Sequence, residues 1–303
     1  SYSNTKALNS TDGSTSVVKA TNTYSGTGGL HQVYLGLGWS PFKGFAIGVN
    51  AAYLWGDYSR SVINSYTDAY ANTLSKYYTA EVHNYKLDFG MQYTQKITKN
   101  DAITLGVTYG LGHKLSSDPK CQIISTNAQT AVADTATYSI GNGLELPHSY
   151  GVGLMWNHAN RWRVGADYTL QKWSSVAYPK FDTSTNSYEL VSGQFADRHK
   201  MTVGGEFCPD ERSRNFFKRV HYRMGASYAT DYLKIKGQNG PKEYSVSAGF
   251  GIPIVNGYNN RSLLNISAQW VRQDSKTFVT ENSFRINIGL TFNERWFAKW
   301  KME

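Results

Sequence analysis

The feature that most restricts this chain is a period-two alternation of apolar and polar residues, sustained over long segments and repeated along its length. From Trp162 to Leu170 one face carries Trp162, Val164, Ala166, Tyr168 and Leu170, while the other carries Arg163, Gly165, Asp167 and Thr169. Tyr85 to Tyr93, Ile103 to Leu111, Tyr244 to Ile252 and Phe284 to Phe292 divide the same way. Successive side chains of a strand point to opposite faces, so each segment reads as a two-faced strand. The pattern gives eleven strands, near 30–40, 45–56, 82–97, 102–113, 147–157, 161–173, 197–208, 220–232, 242–252, 262–272 and 282–293. A soluble strand averages about 5–6 residues, whereas a strand tilted across a bilayer needs about 9–11. The length of these segments points to the bilayer.

Three further features favour a barrel. The centres of the apolar faces carry no Lys, Arg, Asp or Glu. Aromatic residues gather at strand ends, among them Trp39, Trp55, Trp156, Trp162 and Phe292, with Trp296 just beyond the last strand. The opposite faces carry glycine and charge: Lys86, Asp88, Arg163, Asp167, Lys200, Glu206, Arg223 and Arg285. The expected fold is therefore all-β, a transmembrane antiparallel β-barrel. Its apolar rows, including Leu105, Val107, Val164, Tyr168, Phe250, Ile286, Ile288 and Leu290, face lipid. The charges line the lumen, and the aromatic residues form interface girdles. A soluble β-sandwich is the competing fold, and it would press the apolar rows together as a dry interior.

The connections alternate in length. Short ones fall at 41–44, 98–101 and 158–161, with 209–219 and 253–261 in the same class; long polar ones fall near 57–81, 114–146 and 174–196, with shorter ones near 233–241 and 273–281. Outer-membrane barrels have short periplasmic turns and long extracellular loops. On that rule residues 1–29 read as an extracellular loop or N-terminal remnant, and 294–303 as a periplasmic tail, of a single barrel domain over 1–303. Bacterial single-chain barrels have an even number of strands. Eleven is odd, so an odd number of N-terminal strands is expected to be missing; a weak strand over 14–24, making twelve, is the alternative.

No stretch of the 303 residues approaches the ~18 apolar residues of a membrane helix, and mean hydropathy is −0.47. The net charge of +9 is scattered along the sequence. It reads as a solvated basic surface or as attraction to anionic lipid head groups or an anionic solute; nucleic acid is not an expected partner. There is no P-loop, GxSxG, HExxH or CxxC pattern, so neither enzyme activity, metal nor cofactor is expected. Cys121 lies in a long connection and Cys208 at a short-turn rim. They are expected on opposite sides of the membrane, too far apart for the roughly 7 Å between Cα atoms that a disulfide tolerates. The mixed signs of the lumen residues read as a mutually paired ladder or as a solute path. The tail with Trp296, Phe297, Lys299 and Trp300 reads as an interfacial anchor or a handle for a periplasmic partner.

Several segments resemble the FadL-type outer-membrane transporter family in the form found in Bacteroidota. They are Gly29 to Gly36 followed by Pro41-Phe42-Lys43-Gly44, the run Arg198 to Phe207, and the last strand with its ending Asn293 to Trp300. The resemblance implies a fourteen-stranded barrel with an N-terminal hatch, of which the hatch and first strands would be missing here. It implies uptake of hydrophobic molecules such as long-chain fatty acids, with a hydrophobic small-molecule ligand and outer-membrane lipid or lipopolysaccharide as partners. No gating residue carries over. The competing function is a structural barrel subunit of a multi-protein outer-membrane assembly or secretion complex, with other outer-membrane proteins as partners.

Overall fold

The structure is a computed structural model that describes residues 2–8, 18–235, 237–254, 262–275 and 280–291. The alternating segments form one antiparallel wall. Its strands are β1 (Val18–Phe42), β2 (Phe45–Tyr66), β3 (Thr73–Lys96), β4 (Asp101–Gly110), β5 (Ser149–His158), β6 (Trp162–Gln171), β7 (Arg198–Phe207), β8 (His221–Ala229), β9 (Lys242–Ile254), β10 (Ser262–Asp274) and β11 (Glu281–Thr291). Each is hydrogen-bonded to the next in chain order, and no pairing joins β1 to β11 among the described residues.

Register puts like with like. Val152 of β5 lies opposite Val107 and Tyr168, and Ala166 lies opposite Leu154 and Val203. On the other face Arg163 opposes Glu206, which opposes Arg223. A one-residue slip would exchange the faces, so the alternation excludes every odd shift of register.

The polar face is the concave one. A Cβ added to Gly153 would lie 2.2 Å from the Asp167 carboxylate, and one on Gly151 2.3 Å from the Thr108 hydroxyl. Side chains converge on the inside of a curved sheet, and glycine gives them room. The apolar rows stand on the convex side and are left uncovered: Met224 and Ile288 are both 73% exposed, and Phe250 is 52% exposed. They are not packed as a dry interior between two sheets, as a sandwich would require.

The strand boundaries differ from the sequence expectation at the long-connection end. The segments 57–81, 114–146 and 174–196 are expected to be loops, but much of them is paired. β2 and β3 run on together to Asn64↔Leu74. The hairpin Lys120–Thr126/Ala133–Ser139 is added to the edge of β3, and Tyr178–Asp182 pairs with Ser187–Val191. Residues 2–8, expected within a loop, pair with the far part of β1. Beyond the bilayer a ribbon has no lipid to face, so its strands need no apolar row and leave no alternation to read. The ribbon of β1 and β2 changes course at Gly28 (φ 114°) and Gly56 (φ 148°), where an added Cβ would meet backbone at 2.3 and 2.2 Å. Only glycine fits both the dihedral and the space. A small core forms at this end from Ala80, Val82, Leu115, Cys121, Val176, Phe181 and Phe195.

The short turns are tight. Ala159 (φ 52°) and Asn160 (φ 57°) are the central pair of the three-residue connection between β5 and β6, closed by the Arg161 N–H donating to His158 O at 2.9 Å, with the twist that a hairpin prefers. The connection from β7 to β8 is longer and holds a single helical turn, α1 (Phe216–Arg219), capped by the Asn215 side chain.

Candidate functional site

The concave wall carries the chemistry of this chain, and its geometry follows from the ladder. Because Arg163, Glu206 and Arg223 share one row, Glu206 accepts from Arg163 Nη1 at 2.9 Å and from Arg223 Nε at 2.6 Å. The neighbouring β9 offers glycine at this level, Gly249 opposite Arg223 and Gly251 opposite Asn265. The Arg223 guanidinium passes Gly251, where an added Cβ would lie 3.3 Å from its Nη2, and donates from Nη1 to Asn265 Oδ1 on β10 at 2.6 Å. Asn265 Nδ2 then donates to Thr291 Oγ1 on β11 at 3.2 Å. A continuous polar chain thus ties β6, β7, β8, β10 and β11. His221 is buried with Nδ1 3.2 Å from Glu206 Oε1, close to the carboxylate but not aligned as a hydrogen bond.

Lys86 forms an ion pair with Asp88 two residues along β3. Asp167, Lys200 and Arg285 stand on the polar face with no ion-pair partner among the described residues. The eight residues expected to line the lumen therefore divide: three meet in one network, two pair with each other, and three remain apart. Sequence reasoning missed His221, Asn265 and Thr291. Asn265 and Thr291 both follow the polar alternation of their strands, a readable signal, but the reach of Arg223 to Asn265 uses the space beside Gly251. A polar recess of ≈ 400 Å³ opens on this face between Gln92, Thr104, Arg163, Asp167 and Glu206.

The residues expected to face lipid lie on the convex face. An apolar groove of ≈ 690 Å³ runs among Tyr168, Met201, Val203, Tyr228, Tyr244 and Val246. Of the expected girdle, Trp39, Trp156 and Trp162 lie toward the short-turn end and Trp55 toward the other. Trp162 stacks on Phe207 at 4.2 Å, and Trp156 Nε1 donates to Asp101 Oδ1 at 3.1 Å. Phe292, Trp296 and the tail 294–303 lie outside the described residues.

The rims carry polar pairs. At the long-connection rim the Tyr109 hydroxyl meets His148 Nδ1 and the Tyr168 hydroxyl meets His199 Nδ1, both at 2.8 Å. Lys172 pairs there with Asp197, whose carboxylate also accepts from the Ser174 N–H at 3.0 Å. Burial acts to raise the Asp197 carboxyl, but the bonds from Lys172 and Ser174 outweigh it and hold the group at about 2. In the ribbons beyond, burial pushes the hydroxyls of Tyr58, Tyr78 and Tyr188 and the thiol of Cys121 upward, so all four are neutral near pH 7. Cys121 and Cys208 are free and buried, the first in these ribbons and the second beside the turn that follows β7.

A family model described as BamG matches residues 3–303. No curated protein matches the chain. Among solved structures, the CymD monoaromatic hydrocarbon channel is similar at 13% identity and TM-score 0.62, over 93% of this chain and 80% of that one. The P. putida toluene transporter TodX is similar at 12% identity and TM-score 0.57, over 98% and 82%. The Ralstonia pickettii toluene transporter TbuX is similar at 13% and 0.54, over 91% and 77%. At these identities the likeness is one of fold: the antiparallel wall is shaped like the walls of those channels.

Proposed function

The chain belongs to the BamG family, and from this premise we propose that it works in the bacterial outer membrane as a structural barrel subunit of a multi-protein assembly complex. The observation that carries this reading is the cross-strand bonding inside the wall. Glu206 is held by Arg163 and Arg223, Asn265 extends the chain to β11, and Lys86 is matched by Asp88. A selective pore carries a ring of one sign or a graded path. A hydrophobic solute would need an apolar path, yet the apolar groove lies on the convex face. Cross-strand bonding of this kind stiffens a wall that other proteins can build against.

The test is purification of the native protein from membranes in mild detergent. Stable, stoichiometric recovery of other outer-membrane proteins, with fatty-acid uptake unchanged on deletion, is the expected outcome. Recovery of the barrel alone would overturn it.

A second reading is uptake of hydrophobic molecules, such as long-chain fatty acids, and the fold shared with the CymD and TodX channels favours it. It predicts a lipid bound within the lumen and loss of uptake on deletion.

A further inference from the structure

The positive charge that is scattered in sequence is gathered in space. The four described turns at the short-turn end (40–45, 95–101, 157–162 and 207–221) hold eight Lys or Arg against three Asp or Glu. The described segments at the opposite end (2–8, 18–29, 57–81, 111–148, 172–197, 230–235 and 237–241) hold nine against ten. One rim is therefore near +5 and the other near −1, although the second has many more residues.

The cations of the positive rim are also uncompensated. Lys43, Lys96, Lys99 and Arg161 are exposed on three turns, and Arg212, Arg214 and Lys218 on the fourth. None of them forms an ion pair among the described residues. Two of the three acids beside them are engaged: Asp101 accepts from Thr98 Oγ1 and lies 2.8 Å from His158 Nδ1, and Asp210 accepts from the Arg212 N–H; the third, Glu211, is exposed.

A second feature shares this rim. α1 exposes two adjacent aromatic rings, Phe216 at 45% and Phe217 at 70%. The turn holding them is ordered: Asp210 N–H donates to Lys218 O at 2.9 Å, and Phe217 N–H to Asn215 Oδ1 at 3.0 Å. It is also aimed. The Tyr222 hydroxyl donates to Phe217 O at 3.1 Å, and Tyr222 stands in the convex, apolar row with its ring against Phe250 at 5.7 Å. The phenylalanines are thus drawn to the lipid-facing side of the wall, with Arg212, Arg214 and Lys218 around them. Aromatic rings at the acyl boundary with cations at head-group level are the arrangement of an interfacial anchor.

We propose that this rim, periplasmic by the turn-length rule, binds anionic phospholipids of the periplasmic leaflet, with Phe216 and Phe217 seated in the interface and the basic turns on the lipid phosphates. The proposal stands whether or not the protein is a complex subunit. A protein partner of acidic surface is the alternative occupant. The position of Phe217 against a lipid-facing tyrosine favours lipid.

The test uses the full chain in neutral detergent micelles with a fluorescent short-chain phosphatidylglycerol, and the matching phosphatidylcholine as control. The phosphatidylglycerol probe is expected to bind more tightly, and added salt to weaken it. The variant Arg212→Glu/Arg214→Glu/Lys218→Glu is expected to lose on the order of a hundredfold in affinity, about fivefold per cation. A variant at the opposite rim, Lys120→Glu/Lys180→Glu/Lys234→Glu, should bind as the parent does. Heat-modifiable migration on a gel establishes that each variant is folded. Equal binding of the two probes, or equal loss in both variants, would overturn the proposal. So would a polyglutamate peptide that binds the parent, is lost in the Arg212 variant, and leaves the lipid probe unbound.

Discussion

Glu206 shows how much of this wall depends on single side chains. It serves two guanidiniums at once, with most of its side chain removed from solvent. Glu206→Gln removes the charge but not the shape, so Arg163 and Arg223 are left sharing a neutral amide. A loss of about 1–3 kcal/mol is expected, the range for breaking a charge-assisted bond to a partly buried group, and urea unfolding in phospholipid vesicles measures it. On the other face, Ile288→Arg should cost ~2–4 kcal/mol by the same assay, because a guanidinium near mid-bilayer must stay dehydrated or distort the membrane. Asn287→Arg, one position along on the polar face, should be milder. Equal costs at the two positions would contradict the assignment of faces. Gly153 gives a third case. Gly153→Val would drive a branched side chain into the Asp167 carboxylate, and overpacking of that kind costs about 1–3 kcal/mol.

At the scale of elements, the ribbons and hairpins beyond the wall were opaque to the sequence, while the wall strands were legible. The strands β4, β5, β6, β7 and β8 lie where the alternation puts them. Their two solvents, lipid and water, impose opposite demands on successive residues. The segment 57–81 is as regular a ribbon, yet both its faces meet water or other ribbon, so no alternation results. The segment 173–196 is tied down by the packing of Trp173, Phe195 and Tyr232 and, at the rim, by the ion pair of Lys172 with Asp197. The Asp197 carboxyl sits at about 2 in the folded protein, below the roughly 3.9 of an unfolded chain. Its contribution is therefore complete above about pH 4 and is lost as pH falls toward 2. Proteolysis by an acid-active protease should cut within 173–196 faster as pH falls through this window, and Asp197→Asn should weaken the dependence.

At the scale of the whole molecule, the distribution of charge decides how the barrel meets its surroundings. A net +9 spread along 303 residues says little, because any strand order could disperse it. Antiparallel order sends alternate connections to opposite rims, and so sorts the basic turns from the neutral ribbons. The same ordering separates Cys121 from Cys208, as their positions in alternate connections lead one to expect.

The sequence by itself located the eleven alternating strands and the identity of their two faces, but not Tyr2–Leu8, Lys120–Thr126 or Ala133–Ser139, which bring the sheet to fourteen strands among the described residues. The eleven strands and their faces depend only on local alternation, which a strand converts directly into geometry. Tertiary structure decided which face is concave, which charges meet, and where the guanidinium of Arg223 is sent. Each of these depends on space left or filled by residues far away in the chain, Gly251 above all, and no pattern within one strand can express it.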